Sequence, residues 1–194
     1  MKTLSTLPPR WQRLLSSVLL LPAIAAAGFA QPVGAGNGGP NATQSDLAAV
    51  RTRREIARNH ARGNNVAQTV SVLSEYNRAA SGTAAWHLET AQKLIQLAED
   101  LGRDAMPRPA LAQTALQHAV RAGQLATTPE TALGAKLLAG YIHERHLADR
   151  ENALACFRDA AQLAPQSAAA REAYERMRRA DETIRQRRSQ GGGR

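Results

Sequence analysis

Cysteine is almost absent from this chain. Cys156 stands alone in 194 residues, so no disulfide can form within one molecule and no thiolate metal cage is available. Cys156 lies in the apolar run ALACF and is expected to be buried, as free cysteines usually are. Lysine is scarce as well, with Lys2, Lys93 and Lys136 alone, so arginine carries the positive charge. Aromatic residues make up 4% of the sequence, which leaves the core to small and aliphatic side chains. No segment alternates β-branched or aromatic residues with polar ones, the pattern of a half-buried strand. After residue 30 no apolar run approaches the roughly 20 residues needed to span a bilayer.

What is present begins with a tripartite N-terminus. Lys2, Arg10 and Arg13 precede an apolar stretch over residues 14–27, and the small residues of AAAGFAQP follow. This order of positive, apolar and small is that of a cleavable secretory signal over residues 1–30. Cleavage is expected after Ala30, with Ala27 the other position. The competing reading is an uncleaved anchor helix, against which stand Pro22 and the shortness of the run. No cysteine follows the apolar run to carry a lipid. The expected location is the periplasm or the exterior. Removing the three basic residues lowers the net charge from +9 to +6.

Residues 31–45, QPVGAGNGGPNATQS, read as a flexible linker with too little apolar surface to offset the entropy of ordering it. Gly34, Gly36 and Gly39 spell G-x-G-x-x-G, but the dinucleotide motif needs a strand before it and a helix after it, and no strand-like run lies nearby. From residue 46 to 188 apolar residues recur at spacings of three and four, the mark of amphipathic helices. Seven are expected, over roughly 46–61, 66–80, 84–101, 109–122, 129–147, 150–164 and 168–188. Gly63, Asn64 and Asn65, then Ser81 and Gly82, then Gly102 with Pro107 and Pro109 interrupt the pattern. Thr128, Pro129 and Glu130 supply an N-cap, a proline for the first helical position and an acid for the first turn. Pro165 ends the sixth helix.

The last helix pairs Arg171 with Glu175, Glu172 with Arg176, Glu175 with Arg179, Arg178 with Glu182 and Asp181 with Arg185, each four apart. At ~0.3 kcal/mol per pair these describe a solvated face. Residues 189–194, SQGGGR, read as a disordered tail. The fold class expected is all-α, with short connections favouring antiparallel helix hairpins.

Residues 133–167 resemble a tetratricopeptide repeat. Ala153 and Leu154, then Phe157, Ala160, Leu163 and Pro165, follow the spacing of the repeat's second helix. Gly140, after Ala139, occupies the close-approach position of its first. The turn before Glu151 carries an extra residue. Ala112, Leu116 and Ala119 echo the pattern, but 41 residues ahead of Ala153 rather than the usual repeat of about 34. The resemblance implies a short solenoid of stacked hairpins over residues 46–188, closed by a solvating C-terminal helix. It also implies a concave face that holds a protein or peptide partner, whose identity the sequence leaves open. On that face the resemblance places the first helix of each hairpin, and with it Lys136 and His143, with Arg145 near the edge.

Catalytic and metal motifs are not found. His143 and His146 flank Glu144 and Arg145, but stand three apart where the zinc-protease helix needs four. His60, His87 and His118 are scattered. Most carboxylates lie within four residues of an arginine, which favours their ionised form and makes them poor general acids. The sequence therefore reads as a non-enzymatic, cofactor-free, exported scaffold that binds a protein or peptide. The alternative is an envelope protein using the arginine-rich stretches 51–62 and 171–188 to hold polyanions or anionic lipid headgroups. Mixed charge along the helices does not favour nucleic acid.

Overall fold

The computed structural model describes residues 44–75, 80–102 and 104–191. The signal segment 1–30, residues 31–43 of the linker, Tyr76 and the last three residues lie outside the described residues. Every regular element among the described residues is helical. In chain order they are α1 (Gln44–Arg62), α2 (Val66–Ser74), α3 (Ala84–Asp100), α4 (Arg108–Leu125), α5 (Pro129–Arg145), α6 (Arg150–Leu163) and α7 (Ala168–Gly191).

The helices start where side chains satisfy their free amides. Asn65 accepts from Gln68 N at 3.1 Å, Thr83 from Trp86 N at 3.2 Å, Thr128 from Thr131 N at 3.3 Å and Asp149 from Asn152 N at 3.2 Å. Each cap is worth about 1 kcal/mol. Helix α2 stops at Ser74, short of the expected 80. There the Ser74 carbonyl accepts the Trp86 indole N–H at 3.0 Å. At the other end of the chain α7 continues through Gly191, three residues into the stretch read as a tail, with Ser189 Oγ donating to the Gln186 carbonyl at 2.8 Å.

Alanine builds the interior. Ala57, Ala61, Ala91, Ala98, Ala112, Ala115, Ala122, Ala153, Ala160 and Ala170 are all fully buried. Small side chains let helix axes approach toward the short end of the usual 8–10 Å. Larger groups fill what remains, with Leu94, Leu111, Ile142 and Phe157 the largest enclosed apolar side chains. Helix α3 pairs with α4 and α5 with α6, while α4 also packs on α5 and α3 touches α5. The α5–α6 pair is antiparallel, since Lys136 meets Asp159 while His143, later in α5, meets Asp149, earlier in α6. The hairpins thus stack, as the repeat resemblance implies, with the first helices of successive hairpins in contact.

The repeat positions behave as their sizes demand. Ala153, Phe157 and Ala160 are fully buried, and Gly140 receives the Phe157 ring, whose Cε1 would stand 2.6 Å from a Cβ there. Pro165 follows the end of α6. In the turn before α6, Ala148 is held at φ 54°.

Helix α7 covers α6. Its apolar stripe is buried at Ala170, Ala173 and Met177 and opens beyond, where Ala180 is exposed. On its outer face Arg178 pairs with Glu182, Arg179 with Glu175 and Arg185 with Asp181. Arg176 reaches across to α5 instead and grips both carboxylate oxygens of Glu144. Its guanidinium carbon lies 5.9 Å over the Phe157 ring. A bidentate inter-helix pair outweighs the single contact an i,i+4 partner would offer.

Candidate functional site

Helix α5 carries all three residues singled out for partner binding, and the structure divides them. Lys136 and His143 share the stripe of α5 that faces α6, with Gly140 between them. Lys136 Nζ donates to Asp159 Oδ2 at 2.8 Å, and His143 Nδ1 lies 3.3 Å from Asp149 Oδ2. Arg145 is exposed at the end of the helix. The stripe is therefore a tie between helices, and at Lys136 also a rim. Lys136 and Asp159 keep close to half their side-chain surface in water, so their pair adds at most about 1 kcal/mol and leaves the charges available.

Lys136 stands at the edge of a cleft of about 350 Å³ between α4, α5 and α6. Ala119, Val120, Gly123 and Gln124 come from α4, Ala135, Lys136 and Ala139 from α5, and Cys156 from α6. The cleft exists because small residues from two helices meet at one place, with nothing long enough to fill it. Val120 is 48% exposed although apolar. A floor of methyl groups, an exposed valine and a rim of amide and ammonium together suit an apolar side chain carried on a hydrogen-bonding backbone. Cys156 is half-buried here rather than enclosed. Burial pushes its thiol up, which keeps it protonated and a poor nucleophile near neutrality.

A second cluster lies where α3 meets α5. Tyr141 donates its hydroxyl to Glu99 Oε1 at 2.5 Å, and His146 Nε2 lies 3.5 Å from the same oxygen. The His146 side chain is 1% exposed. Burial raises the Glu99 carboxyl, but the adjacent His146 ring and the Tyr141 hydrogen bond outweigh it and hold the group below its ordinary value. Burial, then the Glu99 hydrogen bond and charge, push the Tyr141 phenol well above its usual range. At the α6 N-terminus, hydrogen bonds from Asn152 hold Asp149 low. Around neutrality Glu99 and Asp149 are thus held ionised and Tyr141 protonated.

Sequence reasoning missed this cluster and also a contact between His87 and His118, whose Nδ1 atoms are 2.9 Å apart across α3 and α4. Both histidines are nearly equidistant from Gly102, and in an antiparallel hairpin residues equidistant from the turn face each other. That signal was available in the numbering.

No protein-family model matches the chain, and no curated protein sequence matches it. Among solved structures the chain is similar to the TPR domain of Arabidopsis OM64, at 22% sequence identity and a TM-score of 0.44, over 69% of this chain and 98% of that one.

Proposed function

We propose that this chain is an exported helical-repeat scaffold that holds a peptide segment of a protein partner, with the α4–α5–α6 cleft as the point of engagement. The observation that carries the reading is the cleft itself, open to solvent, floored by small residues and edged by exposed Val120 and by Lys136. Lys136 and His143 on one stripe of α5, with Arg145 at its end, supply polar contacts along about 10 Å of helix. Export rests on the N-terminal sequence. Among the described residues no helix is long and apolar enough to cross a membrane.

The test is quantitative capture from envelope extract by the folded chain and by two variants. Lys136→Ala with His143→Ala, and separately Val120→Trp to fill the cleft, should each lose the same captured protein while helicity is kept. Undiminished capture by both would move the site elsewhere. Capture that collapses between low and moderate salt in all three proteins alike would instead favour the polyanion reading, since counterion release is steeply salt-dependent. That reading has less support, because Arg176, Arg178, Arg179 and Arg185 are already matched by carboxylates. Intact mass of the exported protein should lack about thirty residues, as the signal pattern requires. Retention of residues 1–30 in a membrane fraction would refute the export claim.

A further inference from the structure

The α4–α5–α6 cleft has charge standing behind its polar edges. Lys136 lines it from α5 and donates to Asp159 Oδ2 at 2.8 Å. Gln124 lines it from α4, and its Oε1 accepts from Arg121 Nη1 at 3.2 Å. Asp159 has a second cation in Arg158, whose Nε lies 4.0 Å from Oδ1. Three cations thus share one carboxylate. Helix α4 contains no acidic residue, and among the described residues Arg121 has no carboxylate partner. We propose that Asp159 holds the place of a partner's carboxylate on Lys136, so that the cleft selects a segment with an acidic residue beside its apolar anchor. The inference rests on the cleft being the point of engagement and adds what the engaged segment carries.

An apolar side chain seated on Ala119, Gly123 and Ala139 carries its sequence neighbours over the rim, where Lys136 and the Arg121–Gln124 pair lie. A basic neighbour there meets a guanidinium that no carboxylate offsets. A neutral neighbour gains nothing from that charge. An acidic neighbour meets Arg121 without displacing an ion-pair partner, and meets Lys136 in competition with Asp159. The competition is mild. Lys136, Asp159 and Arg158 each keep close to half of their side-chain surface in water, so their pairs are weak and exchange readily. Asp159 therefore tunes specificity through Lys136 without touching the segment.

The charge of the whole chain points the same way. At +9 it draws acidic partners toward its surface and repels a second copy of itself. Charge of this kind sets selectivity and the rate of encounter more than affinity, and the methyl floor with Val120 supplies the anchor. The occupant is thus an acidic segment of another protein, in which the apolar residue and the acid are neighbours.

The test uses the full chain, isotope-labelled for magnetic resonance, and four short peptides capped at both ends so that no terminal charge takes part. Three carry a central leucine flanked on both sides by glutamate, glutamine or lysine. The fourth carries serine between two glutamates. Amide shifts of Val120, Gly123 and Ala135 read the binding. The glutamate–leucine peptide should bind up to about fivefold more tightly than the glutamine one, the span of one exposed charge pair, and Arg121→Gln should narrow that gap. Asp159→Asn should tighten the glutamate–leucine peptide and leave the glutamine peptide unchanged, with helicity and melting kept. Equal binding of the glutamate and glutamine peptides, both lost in Val120→Trp, overturns the inference and leaves the cleft reading standing. Unchanged or weaker binding of the glutamate–leucine peptide by Asp159→Asn also overturns it. Serine and leucine peptides that bind equally would mean that charge alone is recognised, which removes the cleft reading as well. Self-association abolished by Val120→Trp would put a second copy in the cleft and overturn the inference. Amide shifts that respond to none of the four peptides would remove both.

Discussion

The Phe157 ring lies on the bare backbone of Gly140: a Cβ at Gly140 would come within 2.6 Å of Cε1, 2.8 Å of Cδ1 and 2.9 Å of Cζ. In an unobstructed helix Gly→Ala stabilises by about 1 kcal/mol. Here the sign should reverse. Gly140→Ala is expected to destabilise by about 1–3 kcal/mol, the usual range for overpacking. Phe157→Ala, which empties a fully enclosed site, should cost ~3–5 kcal/mol. The two residues touch, so their effects should not add. Chemical denaturation of both single variants and the double variant checks this, and a stabilised Gly140→Ala would show that the ring is not where the structure puts it.

Ala148 holds a left-handed conformation at φ 54°, which strains any residue with a Cβ by roughly 1–2 kcal/mol. Ala148→Gly removes that strain and adds about 0.4–1 kcal/mol of unfolded-chain entropy. A net gain of about 0.5 kcal/mol, read as a small rise in melting temperature, is expected. Ala148→Val should instead lower it.

Glu99 predicts an acid-side stability profile. Its folded carboxyl titrates below its unfolded value. The unfolded chain therefore binds more protons in the interval between the two values, and stability rises with pH there. The contribution is present above the unfolded value of about 4.3 and is lost as pH falls through the folded one. Melting temperatures from mildly to strongly acidic pH should fall more steeply for the natural chain than for Glu99→Gln. Tyr141 works at the opposite end. Its raised phenol gives stability that is full below about pH 10 and lost as pH rises through the folded value. Tyr141→Phe should flatten that alkaline loss. Parallel curves would remove the Glu99–Tyr141 bond from the account.

Most of the fold was legible because its punctuation is chemical. Asn65, Thr83, Thr128 and Asp149 begin helices with their own side chains. Gly82 and Gly102 hold positive φ in the connections. The buried trio Ala153, Phe157 and Ala160 was marked by the repeat resemblance, and residues three and four apart do share a face. The left-handed Ala148 in the turn before α6 carried no such sign, since nothing in an alanine marks positive φ. The cleft was not legible. Ala119, Gly123, Ala135 and Ala139 read in sequence as close-packing positions, and whether such residues close on each other or leave a space depends on how the helices cross. Arg176 was misread for a related reason. Its i,i+4 partner Glu172 is visible in sequence, whereas Glu144, 32 residues away, is reached only once α7 lies across α5 and α6.

The peptide-binding claim is tested most directly by placing a photo-activated cross-linking amino acid at position 120, where Val120 is exposed over the cleft. Cross-linking is run in intact cells, with the same group at Gln113, exposed earlier on α4, as control. The account predicts one discrete cross-linked protein from position 120, none from 113, and loss of that product when Lys136→Ala and His143→Ala are added to the folded chain. Equal labelling from both positions, or a product from position 120 that is indifferent to the double substitution, would contradict it.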